Sequence, residues 1–236
     1  MAKVFLGVGH GGVDPGAIGN GFNESDLNLA IALACNDELV RHGVITMMSR
    51  KKDENDTLTE EINECIAFKP DLAIDIHNNA GGGDGVEVFH SIKRKNDDAF
   101  AKNVLNEIVA IGQNSRGLKT KTLSNGNDYF GFIRQIGTKL GIPSILVECA
   151  FVDNAKDITI INTPAKQKAM GVAVAKGILK TLGITYKPAT TKTPATSNVT
   201  YTVQVGAYKN KKNAEAMLAK VKAAGFNAFI KKTESK

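Results

Sequence analysis

The sequence predicts an α/β fold: a twisted, mostly parallel sheet with helices on both faces, followed by a small α+β (β-α-β) module at the carboxyl end. Two observations carry the first part. Short apolar runs at Lys3–Val8, Val44–Ser49, 71–77 and Ile145–Cys149 read as strands, and segments with a helical apolar period lie between them. Strands alternating with helices describe layers around one sheet. A third observation separates the appendage. Lys187–Asn198 is rich in Thr and Pro and holds no apolar side chain larger than Ala, so 185–198 reads as a linker between a domain at 1–184 and a module at 199–236.

Taken in order, the first strand runs into a glycine loop, and Leu27, Ala30, Ile31, Ala34 and Val40 then keep a helical period to His42-Gly43. Thr57 and Glu60 form a capping box before Leu58, Ile62, Cys65 and Ile66, a helix face that ends at Pro70. The run 71–77 is a strand, Gly81–Gly85 a loop, and Val86–Ser91 another strand. Phe100, Val104, Leu105, Ile108 and Ile111 mark a helix after Asp97-Asp98. Ser115–Phe130 has weak periodicity and several turn formers and reads as an ordered loop; Phe130–Gln135 reads as a short strand. After Ile145–Cys149, Asp157–Asn162 reads as a helical turn. A last helix spans about Pro164–Leu182, with Pro in its first turn and Gly183 beyond its end. In the appendage, Val199–Gly206 and Asn227–Lys231 read as strands around a helix carrying Ala214, Met217, Leu218 and Val221.

With 236 residues and 42% hydrophobic content the chain can pack a sizeable core. No stretch approaches a membrane span, which excludes membrane insertion as an expectation. Cys35, Cys65 and Cys149 show no C-x-x-C spacing and read as reduced, buried thiols. The net charge of +6 is unevenly placed. Residues 187–236 hold ten Lys against two Glu, whereas 1–186 hold 20 basic against 22 acidic residues. The basic appendage calls for an anionic partner. Nucleic acid is not expected, because Tyr201 and Tyr208 are too few for a stacking platform.

The glycine loop has two sharp readings. Gly7, Gly9 and Gly12 match a dinucleotide-binding G-x-G-x-x-G, which works only where a helix opens at once. Here Asp14–Gly21 is loop chemistry and no helical period begins until about Asp26, so that reading fails on context. The other makes His10 a metal ligand at the carboxyl end of a strand. Glu24 opens the first helix, a second strand ends on His77, and Glu148 sits inside an apolar run. Two histidines, one carboxylate ligand and a spare glutamate are the parts of a catalytic zinc site. A carboxylate in an apolar strand is also costly to bury without a partner or a task. His42 and His90 lack such companions and read as surface or strand-end residues, and Cys149 as core.

Several short motifs fall in one order: Gly9-His10-Gly-Gly12 with Asp14 and Gly16-Ala17, Glu24, Ser49-Arg50, and Ile76-His77-Asn78-Asn79-Ala80. Gly85-Val-Glu87, Ser115-Arg-Gly117 and Pro143–Glu148 with Phe151 and Asn154 follow. In these, residues 1–184 resemble the zinc-dependent N-acetylmuramoyl-L-alanine amidases of the amidase-3 family. The resemblance implies Zn2+ held by His10, Glu24 and His77, with Glu148 as the catalytic carboxylate. It implies hydrolysis by a zinc-activated water of the amide joining N-acetylmuramic acid to L-alanine in peptidoglycan, and hence wall lysis. Asn79 either contacts substrate or closes its turn, and Glu87 is expected to support rather than react. Two departures stand out. Asp75 occupies a position where the family usually has Ser, on the same strand face as His77, where it can orient that ligand. A family arginine in the preceding helix has no counterpart near Glu60-Glu61.

Tyr201–Tyr208, Asn213–Ala216 and Gly225–Ala228 resemble the first half of a SPOR module, a peptidoglycan-binding repeat of two β-α-β halves. A piece of 38 residues is small for independent folding, so pairing with a second copy in a homodimer, or truncation, is expected. Its charge adds anionic wall polymers to peptidoglycan as expected partners. No secretory signal precedes the first strand, so synthesis in the cytoplasm and later release are expected. Holin-dependent release of a phage endolysin is favoured over mother-cell lysis by a sporulation autolysin. The competing functions are an inactive wall binder and a zinc carboxypeptidase or deacetylase; the intact His10, Glu24, His77 and Glu148 argue against the first.

Overall fold

The computed structural model describes residues 1–189, 204–226 and 228–232. It divides into two compact units, Met1–Pro188 and Ala189–Lys236. In the first, β1 (Lys3–Val8), β4 (Ile45–Met48), β5 (Leu72–Asn79), β6 (Val86–His90), β7 (Ser115–Lys119) and β8 (Ser144–Phe151) form one sheet in the order β4-β1-β5-β8-β6-β7. The first four in that order run parallel, β6 is antiparallel to β8, and β7 is parallel to β6. A short ribbon, β2 (Ile18–Gly19) with β3 (Phe22–Asn23), leads into α1 (Glu24–Arg41).

Strand alternation assigns each side chain to one of two faces. Val4, Leu6 and Val8, Ile74 and Ile76, and Ile145, Val147 and Cys149 enter the large apolar core. That face is covered by α1, α3 (Asp97–Ala110) and α4 (Pro164–Thr181), which pack on one another. The opposite face carries a small cluster of Phe5, Cys65, Ala73, Phe132 and Ile136, under α2 (Leu58–Phe68) and a π-helix at Ile133–Lys139. The three cysteines are free and buried. No helix among the described residues is long and apolar enough to cross a membrane.

The helices follow local signals. The α1 stripe is Leu27, Ile31, Cys35 and Leu39, while Val40 faces solvent. Thr57 caps α2, its side chain accepting from Glu60 N and Glu60 Oε2 accepting from Thr57 N at 3.0 Å. The expected α2 face is corrected, because Leu58 and Ile66 are exposed and the buried residues are Glu61 and Cys65. Thr163 and Pro164 start α4.

Two further expectations are corrected. Ser115–Lys119 is not loop but an edge strand beside β6, and the loop proper begins after it, pinned by a bridge between Thr122 and Asp128. Phe130–Gln135 is not a strand: the chain turns helical, and Phe132, Ile133 and Ile136 bury at spacings that only a helix brings to one side. In the second unit α5 (Lys211–Ala223) is capped by Asn210. Residues 204–206 and 228–231 belong to no strand; the rest of the two expected strands, 199–203 and 227, and positions 190–198 of the linker lie outside the described residues.

Candidate metal centre and active-site cleft

The site lies at the carboxyl ends of β1, β5 and β8, on the face that α2 covers. His10 follows β1 with φ 63°, a left-handed conformation that costs a non-glycine residue about 1–3 kcal/mol. Its Nδ1 lies 2.8 Å from Asp14 Oδ2, and Asp14 Oδ1 accepts from Gly16 N at 3.0 Å. This turns Nε2 towards Glu24 Oε2, 3.2 Å away. Buried Arg50 secures the loop from below, donating to the carbonyls of Val8 (3.1 Å), Gly9 (3.1 Å) and Ser25 (2.8 Å).

Glu24, the first residue of α1, is the hub. Its Oε2 accepts from Ala17 N at 3.0 Å, and its Oε1 from Asn78 N at 3.1 Å and Asn28 Nδ2 at 3.3 Å. Its Oε1 also lies 3.1 Å from His77 Nδ1. Burial alone would raise this carboxyl, but the hydrogen bonds to His10 and His77 hold it well below the usual range. The other nitrogen of His77, Nε2, lies 3.3 Å from Asp75 Oδ2. Each imidazole therefore turns one nitrogen to Glu24 and the other to an aspartate, the arrangement that fixes the tautomer of a metal-ligating histidine.

Donor atoms of His10, Glu24 and His77 all lie within 4.8 Å of one another, close enough that the three could hold one metal ion. The charge balance fits a cation there. The hydrogen bond to Glu24 raises His10, and although burial opposes a charged His77, Asp75 and Glu24 raise it well above its ordinary value.

Glu148 stands directly opposite His77 across the β5–β8 pairing, so both side chains share one face. It is half-buried, its Oε2 is enclosed without a hydrogen-bond partner, and burial pushes its pKa up to about 7. His10, Asp75, His77 and Glu148 line one cleft with Glu61, Phe130 and Phe132. The glycines that suggested a nucleotide loop have a steric task here. A Cβ on Gly7 would lie 2.0 Å from Glu61 Oε1, and one on Gly9 would lie 2.1 Å from the His77 ring. Gly7-Val-Gly9 makes room for side chains from the next elements.

All four principal residues read from the sequence thus meet in one place. Asn79 lies beside them with both polar atoms engaged, Oδ1 accepting from Ala80 N at 2.8 Å and Nδ2 donating to Glu87 Oε2 at 3.1 Å. His90 ends its strand against Asp98, as expected. His42 differs from the expected surface residue: its ring is enclosed, Nδ1 lies 2.8 Å from Glu38 O, and Nε2 accepts from Lys187 N at 2.9 Å. The sequence reading passed over Asn28 and Glu61. The available signals were spacings, Asn28 one turn after Glu24 and Glu61 one turn before the core residue Cys65.

Residues 4–180 match the family model described as N-acetylmuramoyl-L-alanine amidase. The chain belongs to that family. Residues 197–236 of this amidase match the SPOR domain model. It is 30% identical over 234 residues to the sporulation-specific N-acetylmuramoyl-L-alanine amidase of Bacillus subtilis (strain 168), covering 98% of this chain and 84% of that one. It is 29% identical over the same length to N-acetylmuramoyl-L-alanine amidase CwlM of Bacillus licheniformis, covering 98% and 85%. Among solved structures, Cwp6 from Clostridium difficile superposes with a TM-score of 0.73 at 37% identity, over 77% of this chain and 29% of that chain. The amidase AmiC2 of Nostoc punctiforme gives 0.65 at 26%, over 77% and 97%. The enzyme is accordingly a peptidoglycan hydrolase that cuts the amide between N-acetylmuramic acid and L-alanine.

Proposed function

We propose that the amidase works with Zn2+ held by His10, Glu24 and His77, and that Glu148 moves the protons. The observation that carries this is the unpartnered Glu148 carboxylate set opposite His77, beside three donor groups within reach of a single ion. When bound, zinc supplies Lewis acidity, polarising a carbonyl and making water acidic enough to react near neutral pH. Glu148 takes the proton from the attacking water and returns it to the departing amine of L-alanine, since an amide nitrogen leaves poorly unless protonated. A carboxyl raised towards neutrality suits both directions of that transfer. Asp14 and Asp75 keep the two imidazoles oriented. Asn79 acts by closing its turn and holding Glu87.

Digestion of peptidoglycan with and without chelator, followed by mass spectrometry, tests this. New L-alanine amines on intact glycan strands, lost with chelator and restored by zinc, are expected. Chelator-resistant cleavage would remove zinc, and new ends elsewhere in the stem peptide would assign the enzyme to a different wall amide.

We assign the basic module to binding peptidoglycan and anionic wall polymers, and infer that it pairs with a second copy. Val205, Tyr208, Phe226, Phe229 and Ile230 are all exposed, an apolar set that a second copy would cover. A monomeric solution mass with a rapidly cleaved tail would remove the pairing. For the setting, we infer an enzyme made in the cytoplasm and freed on mother-cell lysis, in place of the holin-dependent release that the sequence alone favoured. The sporulation-specific relative is matched over 98% of the chain, the endolysin of Bacillus phage SPP1 over 79%. Immunodetection in sporulating cells, with accumulation in the mother cell before lysis, is the expected result.

A further inference from the structure

A row of charged side chains extends from Glu148 across the sheet, and its far members, Glu87 and Arg116, take no part in the proton transfers above. His77, Glu148 and Glu87 stand directly opposite one another on β5, β8 and β6, so all three share one face. Arg116 on β7 completes the row, its Nε donating to Glu87 Oε1 at 2.8 Å. Glu87 is itself held on its other oxygen by Asn79. The guanidinium lies over the Phe151 ring, 5.1 Å from its centroid. A register shift between His77 and Asn79 brings Phe151 opposite Asn79 and so to this place.

Arg116 is therefore aimed on two sides, yet its side chain is 40% exposed. Its terminal Nη nitrogens donate to no group among the described residues. A guanidinium fixed at one edge and free at the other is suited to recognising a carboxylate in a planar, two-point fashion. It is also the cation at the end of the row away from His77, beyond Glu148 and Glu87.

The spacing identifies which carboxylate. Neighbouring strands lie about 4.8 Å apart, so β7 is roughly 10 Å from the Glu148 strand, and the arginine reaches back from it towards Glu87. Two residues of extended peptide span about 7 Å. With the scissile amide beside Glu148 and the stem peptide running along this row, a carboxylate on its second residue would come within reach of the guanidinium. In stem peptides that residue is a side-chain-linked D-glutamate, whose α-carboxyl is either free or amidated.

We propose that Arg116, positioned by Glu87 and Phe151, binds the free α-carboxylate of the stem peptide's second residue and makes the enzyme prefer acidic over amidated stems. This rests on the amidase reading. The test compares kcat/KM of the zinc-loaded full chain on N-acetylmuramoyl-L-alanyl-D-glutamate and on its α-amide. The wild type is expected to favour the acid about tenfold, the scale of one hydrogen bond to a charged group. Arg116→Gln is expected to bring the ratio towards one, and Arg116→Lys to keep part of it. A common fall in both rates without a change in their ratio is what a merely structural role predicts, and it would overturn the proposal. Equal wild-type rates on the two compounds would overturn it without any variant and leave the amidase reading intact. If the wild type cuts neither, the amidase reading itself fails and this proposal goes with it.

Discussion

The two faces of the catalytic sheet are made by the same strands and do opposite work. On β5, Ile74 and Ile76 point into the apolar core under α1, α3 and α4, while Ala73, Asp75 and His77 point the other way. On β8, Val147 and Cys149 are core and Glu148 is cleft. One face hides hydrocarbon and stabilises the fold. The other buries Glu61 and Asp75 and is covered by only one helix and a π-helical turn. Placing ionisable groups on strands that are anchored from behind gives them fixed positions without requiring their own side to be strongly packed. The difference teaches that here stability and chemistry are separated by strand parity, one residue apart along the chain.

Substitutions at neighbouring positions break that division most directly. Glu148→Gln keeps shape and removes the proton carrier, so kcat should fall about 10²–10⁴-fold while zinc content and thermal midpoint stay near wild type. Turnover within a few-fold of wild type would mean that another group carries the proton. Ile74→Ala opens a cavity on the other face and should cost about 2–5 kcal/mol in denaturant unfolding, with zinc affinity in the folded fraction little changed. Asp75→Asn, the next residue, should leave the core intact and weaken zinc about 10–100-fold in a competition titration, because His77 loses the carboxylate that orients it. If Ile74→Ala and Asp75→Asn affected zinc affinity alike, the faces would not be independent.

The apolar face was the legible one. Its strands and helices are runs and periods of Val, Ile, Leu and Phe, and burial follows directly from them. The ligand set was legible for a different reason: His10 just past β1 and His77 near the end of β5 stand beside glycine- and asparagine-rich stretches, where an unusual residue stands out. What escaped is what only packing decides. Ser115–Lys119 carries Arg, Gly and Lys because it is an edge strand, and such composition cannot be told from loop. Phe132 and Ile136 became a helix face only because the sheet offers them Phe5 and Ala73. Among the acids of α2, the capping box singles out Glu60, but nothing local says that Glu61 rather than Glu64 is buried over the site.

Glu61 gives the smallest and most diagnostic expectation. Burial raises its pKa well above the ordinary carboxylate value, and Asp75 adds to the shift; Asp56 and Glu64 raise it further, while His77 opposes them. An acid with a raised folded-state pKa is fully tolerated below its unfolded value of about 4.3 and destabilises the fold progressively as pH climbs through the folded value. Metal-free protein should therefore lose stability as pH rises through that window. Glu61→Gln, which cannot ionise, should flatten this part of the curve while matching wild type near pH 4. Parallel unfolding curves for the two proteins from pH 4 to 9 would show that Glu61 is not confined as the geometry has it. The wild-type slope should also shrink when zinc is added, because a divalent charge beside His77 stabilises ionised carboxylates nearby. An acid on the apolar face could not respond to zinc in this way, so the measurement reads the division between the two faces through a single carboxyl group.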